Sequence, residues 1–187
     1  MEGYLPIGNI ILFLEEAVSF FLQYNNLNCE SPLNNLVFIY YNAPLFTRSI
    51  GTAITHHCME FEALEYEPET SFDLMDLLQL YGREAEVCIQ LYVKRYIDSL
   101  PRNGYYEYLY YIYFICQLCA HAIMFERSDM VLIVILKAAD ALYFWCNHYM
   151  HYYRIARAAV EYNSYHRAMH EESEDEGCFS SFEDEEG

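Results

Sequence analysis

Residues 108–125 read YLYYIYFICQLCAHAIMF, 18 consecutive positions without a formal charge. That length reaches the threshold for a helix that crosses a bilayer. The neighbouring run at 130–146, MVLIVILKAADALYFWC, argues the other way. It sets Lys137 and Asp140 in mid-helix, where each costs several kcal/mol in hydrocarbon. Six tyrosines between Tyr105 and Tyr113 also suit a protein interior, where hydroxyls find partners, better than lipid. The two runs are therefore read as an antiparallel helical hairpin, joined by a short polar turn at Glu126–Asp129 and buried at the centre of a globule. Ser128 is the expected cap of the second helix.

Outward from this hairpin the chain reads as amphipathic helices. From Gly8 to Asn26, apolar residues recur at Ile11, Leu12, Leu14, Val18, Phe21 and Leu22, with Glu15 and Glu16 opposite. Ser31–Pro32 opens a helix to about Asn42, and a segment from Phe46 to Glu65 carries Ile50, Ile54, Cys58 and Phe61 at helical steps. After Pro68, Thr70 or Ser71 caps a short helix, DLMDLLQLY, that Gly82 ends. Another helix spans Glu84 to about Ser99, with Val87, Leu91, Tyr92 and Ile97 expected inward, and Pro101, Asn103 and Gly104 turn the chain. The last helical region runs from Met130 to about His170, with a break near His148–Tyr152. No stretch alternates with the period of a strand. The expected fold class is all-α: one domain over residues 1–170, then a disordered acidic tail over 171–187.

Composition narrows the function. The 187 residues are 55% hydrophobic, with 20 Tyr and 12 Phe, so a sizeable core is available. The formal charge is −18, the wrong sign for nucleic acid or an anionic membrane surface. Nine of the 28 acidic residues stand in 171–187 (EESEDEGCFSSFEDEEG), which holds no base. The remaining 19 against 10 Lys and Arg make the body only moderately acidic. The seven cysteines are odd in number and MEGYLPIGNI lacks a basic start, so reduced thiols in cytosol or nucleus are expected.

Catalytic chemistry finds no foothold. Cys116 and Cys119 form a single CxxC inside an apolar helix, without the second pair of a zinc site. His56, His57 and Cys58 are adjacent, so their side chains diverge. His148 with His151, and His166 with His170, have the spacing of metal ligands on a helix but no third ligand. No Gly-rich phosphate loop and no nucleophile elbow occur. No enzyme, metal or cofactor is expected.

A central apolar helix pair wrapped by amphipathic helices resembles the Bcl-2 fold. The chain is closest in pattern to the poxviral Bcl-2-like inhibitors of innate immunity and apoptosis. An early helix of the type L-E-E-x-x-x-F recurs in that family, and Phe13–Phe21 reads FLEEAVSFF here. The central helix and its charged turn are similar to YFICQLCAHAIMFERSD, Tyr113–Asp129. Cellular members carry N-W-G-R at a groove, and this chain has LYGRE, Leu80–Glu84, in which Gly82 and Arg83 match. The resemblance implies a groove around Leu77, Gly82, Arg83 and Val87 that takes pro-apoptotic amphipathic helices. It also implies NF-κB pathway adaptors as partners, leaves a homodimer open, and puts the protein in host cytoplasm or nucleus.

The tail carries a second resemblance. DEGCFS, Asp175–Ser180, is similar to the phosphodegron D-pS-G-x-x-pS of IκB proteins, which the F-box protein β-TrCP reads. Glu176 supplies a fixed charge in place of the first phosphoserine, Gly177 allows the turn, and Ser180 takes the second phosphate, with Glu183 three residues on. The resemblance implies a viral inhibitor of NF-κB signalling whose residues Asp175, Glu176, Gly177 and phosphorylated Ser180 occupy β-TrCP.

Overall fold

The structure is a computed structural model that describes residues 4–27, 45–57, 74–101 and 104–176. In chain order it forms α1 (Ile7–Tyr24), α2 (Arg48–Thr52), one π-helical turn (Ala53–His57), α3 (Leu74–Gln79), α4 (Gly82–Ser99), α5 (Tyr106–Met124), α6 (Ser128–Trp145) and α7 (Tyr149–Glu176). Among the described residues there is no strand, only one isolated antiparallel bridge between Tyr4 and His148. The chain is all-α, as the periodicities require. The expected helix from Ser31, the stretch from Cys58 through Pro68, and the Thr70 or Ser71 cap lie outside the described residues.

α5 and α6 form the central hairpin. α5 buries Leu109, Ile112, Ile115 and Leu118, and α6 buries Val131, Val134, Ile135 and Leu142. Each such side chain contributes about 1.5–3 kcal/mol of transfer free energy. The Tyr111 hydroxyl, fully buried, donates to the Ala138 carbonyl at 3.2 Å and ties the two helices at mid-length. α6 packs against α4, α5 and α1, while α7 lies on α2 and α5. The charges in the middle of α6 face its rim: Asp140 is exposed, and Lys137 meets Glu86 of α4 at 3.8 Å. α1 is itself long and apolar enough to cross a membrane by length and composition, and more than half of it is buried in the bundle.

The helix ends follow local chemistry. α1 and α5 both close with a residue in left-handed conformation, Asn26 (φ 57°) and Glu126 (φ 59°). Leu27 N–H then donates to Leu22 O at 2.9 Å, and Arg127 N–H to Ala122 O at 2.7 Å, the six-to-one bonds of a Schellman motif. Thr47 caps α2 by accepting from the Ile50 N–H. Ser128 does not cap α6: it is the first helical residue, Arg127 stands at the cap position, and no side chain of a cap residue bonds there.

The other departures are of boundary and face. The expected break near His148 lies at residues 146–148, where Leu5 N–H reaches Asn147 O at 2.8 Å and draws the N-terminus against the α6–α7 joint. Helix α7, expected to stop near His170, runs to Glu176, so residues 171–176 of the expected disordered tail are helical. On α4 the buried line is Ala85, Ile89, Val93 and Ile97. Val87 and Leu91, expected inward, are 49% and 47% exposed.

Candidate functional site

The groove expected at Leu77, Gly82, Arg83 and Val87 falls at the α3–α4 corner. Leu77 is 1% exposed and belongs to the core, so it lines no surface groove. Its helix is one and a half turns long and holds its place by burying Leu77 and Leu78. The other three residues face solvent. Gly82 turns the chain between α3 and α4 at φ +57°, a conformation that L side chains rarely adopt, and a Cβ placed there would meet nothing within 4 Å. The glycine therefore serves the backbone and also leaves the surface above it open. Arg83 is exposed and has no hydrogen bond or ion pair among the described residues. One and two turns further along α4 come Val87 and Leu91, with Lys94 and Arg95 beyond them, all exposed. The result is a stripe of apolar and charged residues, in which Lys94 pairs with Asp98 one turn on at 2.5 Å.

Arg127, from the turn between α5 and α6, fixes that corner. It is 8% exposed. Its Nη1 donates to the Leu78 carbonyl, Nε to Asp129 Oδ1 at 2.9 Å and Nη2 to Asp129 Oδ2 at 3.0 Å. Its guanidinium carbon lies 4.1 Å from the centroid of the Tyr81 ring, a cation–π distance. The two-pronged bond from Arg127 holds the Asp129 carboxyl below the usual carboxylate range, and backbone N–H groups at the start of α6 add to the effect. Sequence reasoning took 126–129 for a polar turn and missed this anchor. An Arg in a charged turn before a helix carries no sequence signal of the carbonyl and ring it meets across the fold.

The tail motif is divided. Asp175 and Glu176 are the last two residues of α7, while Gly177 and Ser180 lie outside the described residues. α7 is tied to α2 through Asn163, whose Nδ2 donates to Ser49 O at 2.9 Å. Asp175 and Glu176 therefore stand about 20 Å further along the helix axis, at ~1.5 Å per residue. Glu171, Glu172, Glu174, Asp175 and Glu176 crowd the negative end of the helix dipole, which weakens the final turns.

The remaining candidates do not converge. Among the described residues no group of three or more His, Cys, Asp or Glu could hold a metal ion. Cys116 and Cys119 are buried in α5 and form no disulfide. Burial pushes the Cys146 thiol up to about 12, so it is no nucleophile. His56 meets the Tyr24 hydroxyl, His148 Nδ1 accepts from the Met150 N–H at the start of α7, and His151 Nδ1 lies 3.2 Å from the Tyr105 hydroxyl. His166 packs on Tyr162 at 4.4 Å between ring centroids. Comparison with protein-family models, curated proteins and solved structures found no match to this chain.

Proposed function

We propose that this chain is a non-enzymatic viral inhibitor of host NF-κB signalling, whose C-terminal segment mimics the IκB phosphodegron and occupies β-TrCP. The observation that carries the reading is DEGCFS itself: an anion at Glu176, glycine next, and a phosphorylatable Ser180 three residues after the glycine, amid acidic residues that attract acid-directed kinases. The position of Asp175 and Glu176 at the C-terminal end of α7, about 20 Å along the helix axis from Asn163, supports it. An acidic helix end opposed by its own dipole unwinds at low cost, as docking in an extended turn requires. With phosphorylated IκB kept off β-TrCP, NF-κB stays restrained in the host cytoplasm.

The test is capture of β-TrCP by the intact phosphorylated chain and by variants. Glu176→Ala and Ser180→Ala each remove a charge-assisted contact of about 1.5–3 kcal/mol, a tenfold or greater loss of affinity. Glu185→Ala, outside the motif, should matter little. If the double variant still binds β-TrCP and still blocks IκB loss after cytokine treatment, the segment is only a solvated acidic end.

A second reading is favoured by the open surface at Gly82 and Arg83: an anti-apoptotic Bcl-2-like protein that binds pro-death amphipathic helices. Val87 and Leu91 then supply the apolar contacts and Arg83 pairs with the partner's aspartate. A labelled pro-death helix should bind the unaltered chain and lose at least tenfold with Arg83→Glu. Equal binding by both would remove this reading and leave the first untouched.

A further inference from the structure

We propose that the exposed face of α7 between Arg154 and Arg167 docks an acidic segment of a partner protein, one that carries apolar side chains among its carboxylates. Between Asn147 and His170 the sequence holds three arginines, Arg154, Arg157 and Arg167, and a single acid, Glu161, in a chain whose formal charge is −18. Arg154, Arg157, Val160, Ser164 and Arg167 follow one another along α7 at steps of three or four. They form one slanted stripe, and all five are exposed. Tyr153 flanks the stripe at 66% exposed, and Val160 within it is 51% exposed. Tyr152, Ile155, Ala159 and Tyr162 are buried on the other side of the helix, so packing fixes which side faces out. α2 adds a fourth cation: Asn163 bonds to the Ser49 carbonyl, and the exposed Arg48 directly precedes Ser49. Arg167 stands one turn beyond Asn163, at the same end of the stripe.

Local contacts orient these cations and leave them donors to spare. Arg157 Nε donates to Glu161 Oε1 at 2.9 Å, and the Tyr106 hydroxyl donates to Glu161 Oε2 at 3.1 Å, so the one acid of the stretch is already engaged. The Arg157 side chain is still 72% exposed. Arg154 Nη1 donates to the Tyr105 hydroxyl at 3.1 Å, one of five N–H groups on its guanidinium. Arg48 and Arg167 have no hydrogen bond or ion pair among the described residues. Length and charge then choose the occupant. The stripe runs about 20 Å at ~1.5 Å per residue, and charges more than about 8 Å apart are largely screened at physiological salt. An acidic peptide of matching length meets the guanidinium groups and little else. A nucleic acid or an anionic membrane extends past the stripe onto surface where acids outnumber bases. Tyr153 and Val160 beside the cations offer apolar contact, and Tyr and Arg together are the residues that protein interfaces favour. The acids at positions 171, 172, 174, 175 and 176 continue the same helix past Arg167. They lie further along its axis, cannot fold onto the stripe, and mark the end beyond which an acidic partner is repelled. The surface is independent of the tail reading and of the α4 stripe.

The probe is a fluorescein-labelled peptide of Glu-Glu-Leu-Phe repeats, about 14 residues long, which as a helix matches the stripe. It is titrated against the full chain and read by fluorescence anisotropy. Saturable binding is expected, and it should weaken as salt rises. Arg157→Gln with Arg167→Gln should weaken it at least tenfold, while Arg157→Lys with Arg167→Lys keeps the charge and stays within about threefold. Arg83→Gln, which removes a cation from α4 instead, should bind as the unaltered chain does. Tyr153→Ser with Val160→Ser leaves the charge alone and should still weaken binding. These positions are exposed, so each variant should unfold within about 2 °C of the unaltered chain. The proposal is overturned by an absent or non-saturable response, by full binding in the double glutamine or double serine variant, or by an equal loss in Arg83→Gln. Equal binding of the same peptide with Lys in place of Glu overturns it as well. So does an oligouridylate or a phosphatidylserine vesicle that binds more tightly than the peptide and depends on Arg157 and Arg167, since the stripe then serves another polyanion. Binding that appears only after Glu183→Gln, Asp184→Asn, Glu185→Gln and Glu186→Gln are made together also sinks it, because the chain's own acids then occupy the stripe.

Discussion

Arg127 joins three parts of the chain that sequence separates: the carbonyl of Leu78, the ring of Tyr81 and the carboxylate of Asp129. Arg127→Met keeps the stem but removes the donors, leaving the Leu78 carbonyl unsatisfied in a buried place. About 2 kcal/mol of stability should be lost, read as a lower urea midpoint. Arg127→Lys should recover little, because an ammonium cannot fork onto the carboxylate and cover the ring together. Tyr152 gives the opposite sign. Its ring is buried and packs edge-on against Phe13 at 4.9 Å, but its hydroxyl has no partner. Burial drives that hydroxyl's pKa far up. Tyr152→Phe should hold stability or raise it by about 1 kcal/mol, and a loss above that would show that the hydroxyl is satisfied. Neither residue announces its role in the sequence. Arg127 sits in an ordinary charged turn, and Tyr152 is one tyrosine among 20.

At the scale of elements, the hairpin was legible because 18 uncharged positions leave a helix little choice but to be covered. α4 was legible as a helix but only partly in its facing: Ile97 is buried as expected, whereas Val87 and Leu91 are exposed. Two lines with a four-residue step run along it, Ala85–Ile89–Val93–Ile97 and Val87–Leu91, about 200° apart. Leu91 and Val87 outweigh Ala85 by hydrophobicity, yet Ala85 is the one turned to the core, at 1% exposed. Hence Val87→Glu with Leu91→Glu should leave thermal unfolding within about 0.5 kcal/mol of the unaltered chain, while Ile89→Ala alone should cost about 2–5 kcal/mol. The α6–α7 joint carries a pH dependence. Burial, with His148 and Arg154 nearby, lowers the pKa of His151, whose Nδ1 faces the Tyr105 hydroxyl. The unfolded imidazole takes a proton near pH 6.5 and the folded one resists it, so the unfolded state binds more protons as the pH falls. Stability from this group is complete above that range and lost as acid is added below it. His151→Gln should flatten the part of the urea midpoint that falls between about pH 7 and 5.

For the whole molecule, the question is where the folded body stops. α7 buries Tyr152, Ile155, Ala158, Ala159 and Tyr162, and Asn163 bonds to Ser49. From Ser164 to Met169 the side chains are exposed, save the half-buried His166 on Tyr162. The described side chains from Ser164 to Met169 thus offer the core little apolar surface, and periodicity alone, reading a stop near His170, did not see the turns that run on to Glu176. The nine acids after residue 170 add negative charge and repel one another. A chain cut after His170 should therefore unfold in one cooperative transition within about 2 °C of the full chain. The reasoning is that surface changes stay within about 0.5 kcal/mol and 1 kcal/mol shifts the midpoint by about 2–4 °C at this size. A chain cut after Arg154 loses Ile155, Ala159 and Tyr162 from the core and should lose the cooperative transition. Circular dichroism on the three chains decides the matter. If removing only residues 171–187 drops the midpoint by more than about 5 °C, the acidic segment is folded onto the body, and a receptor could engage it only by first pulling it away.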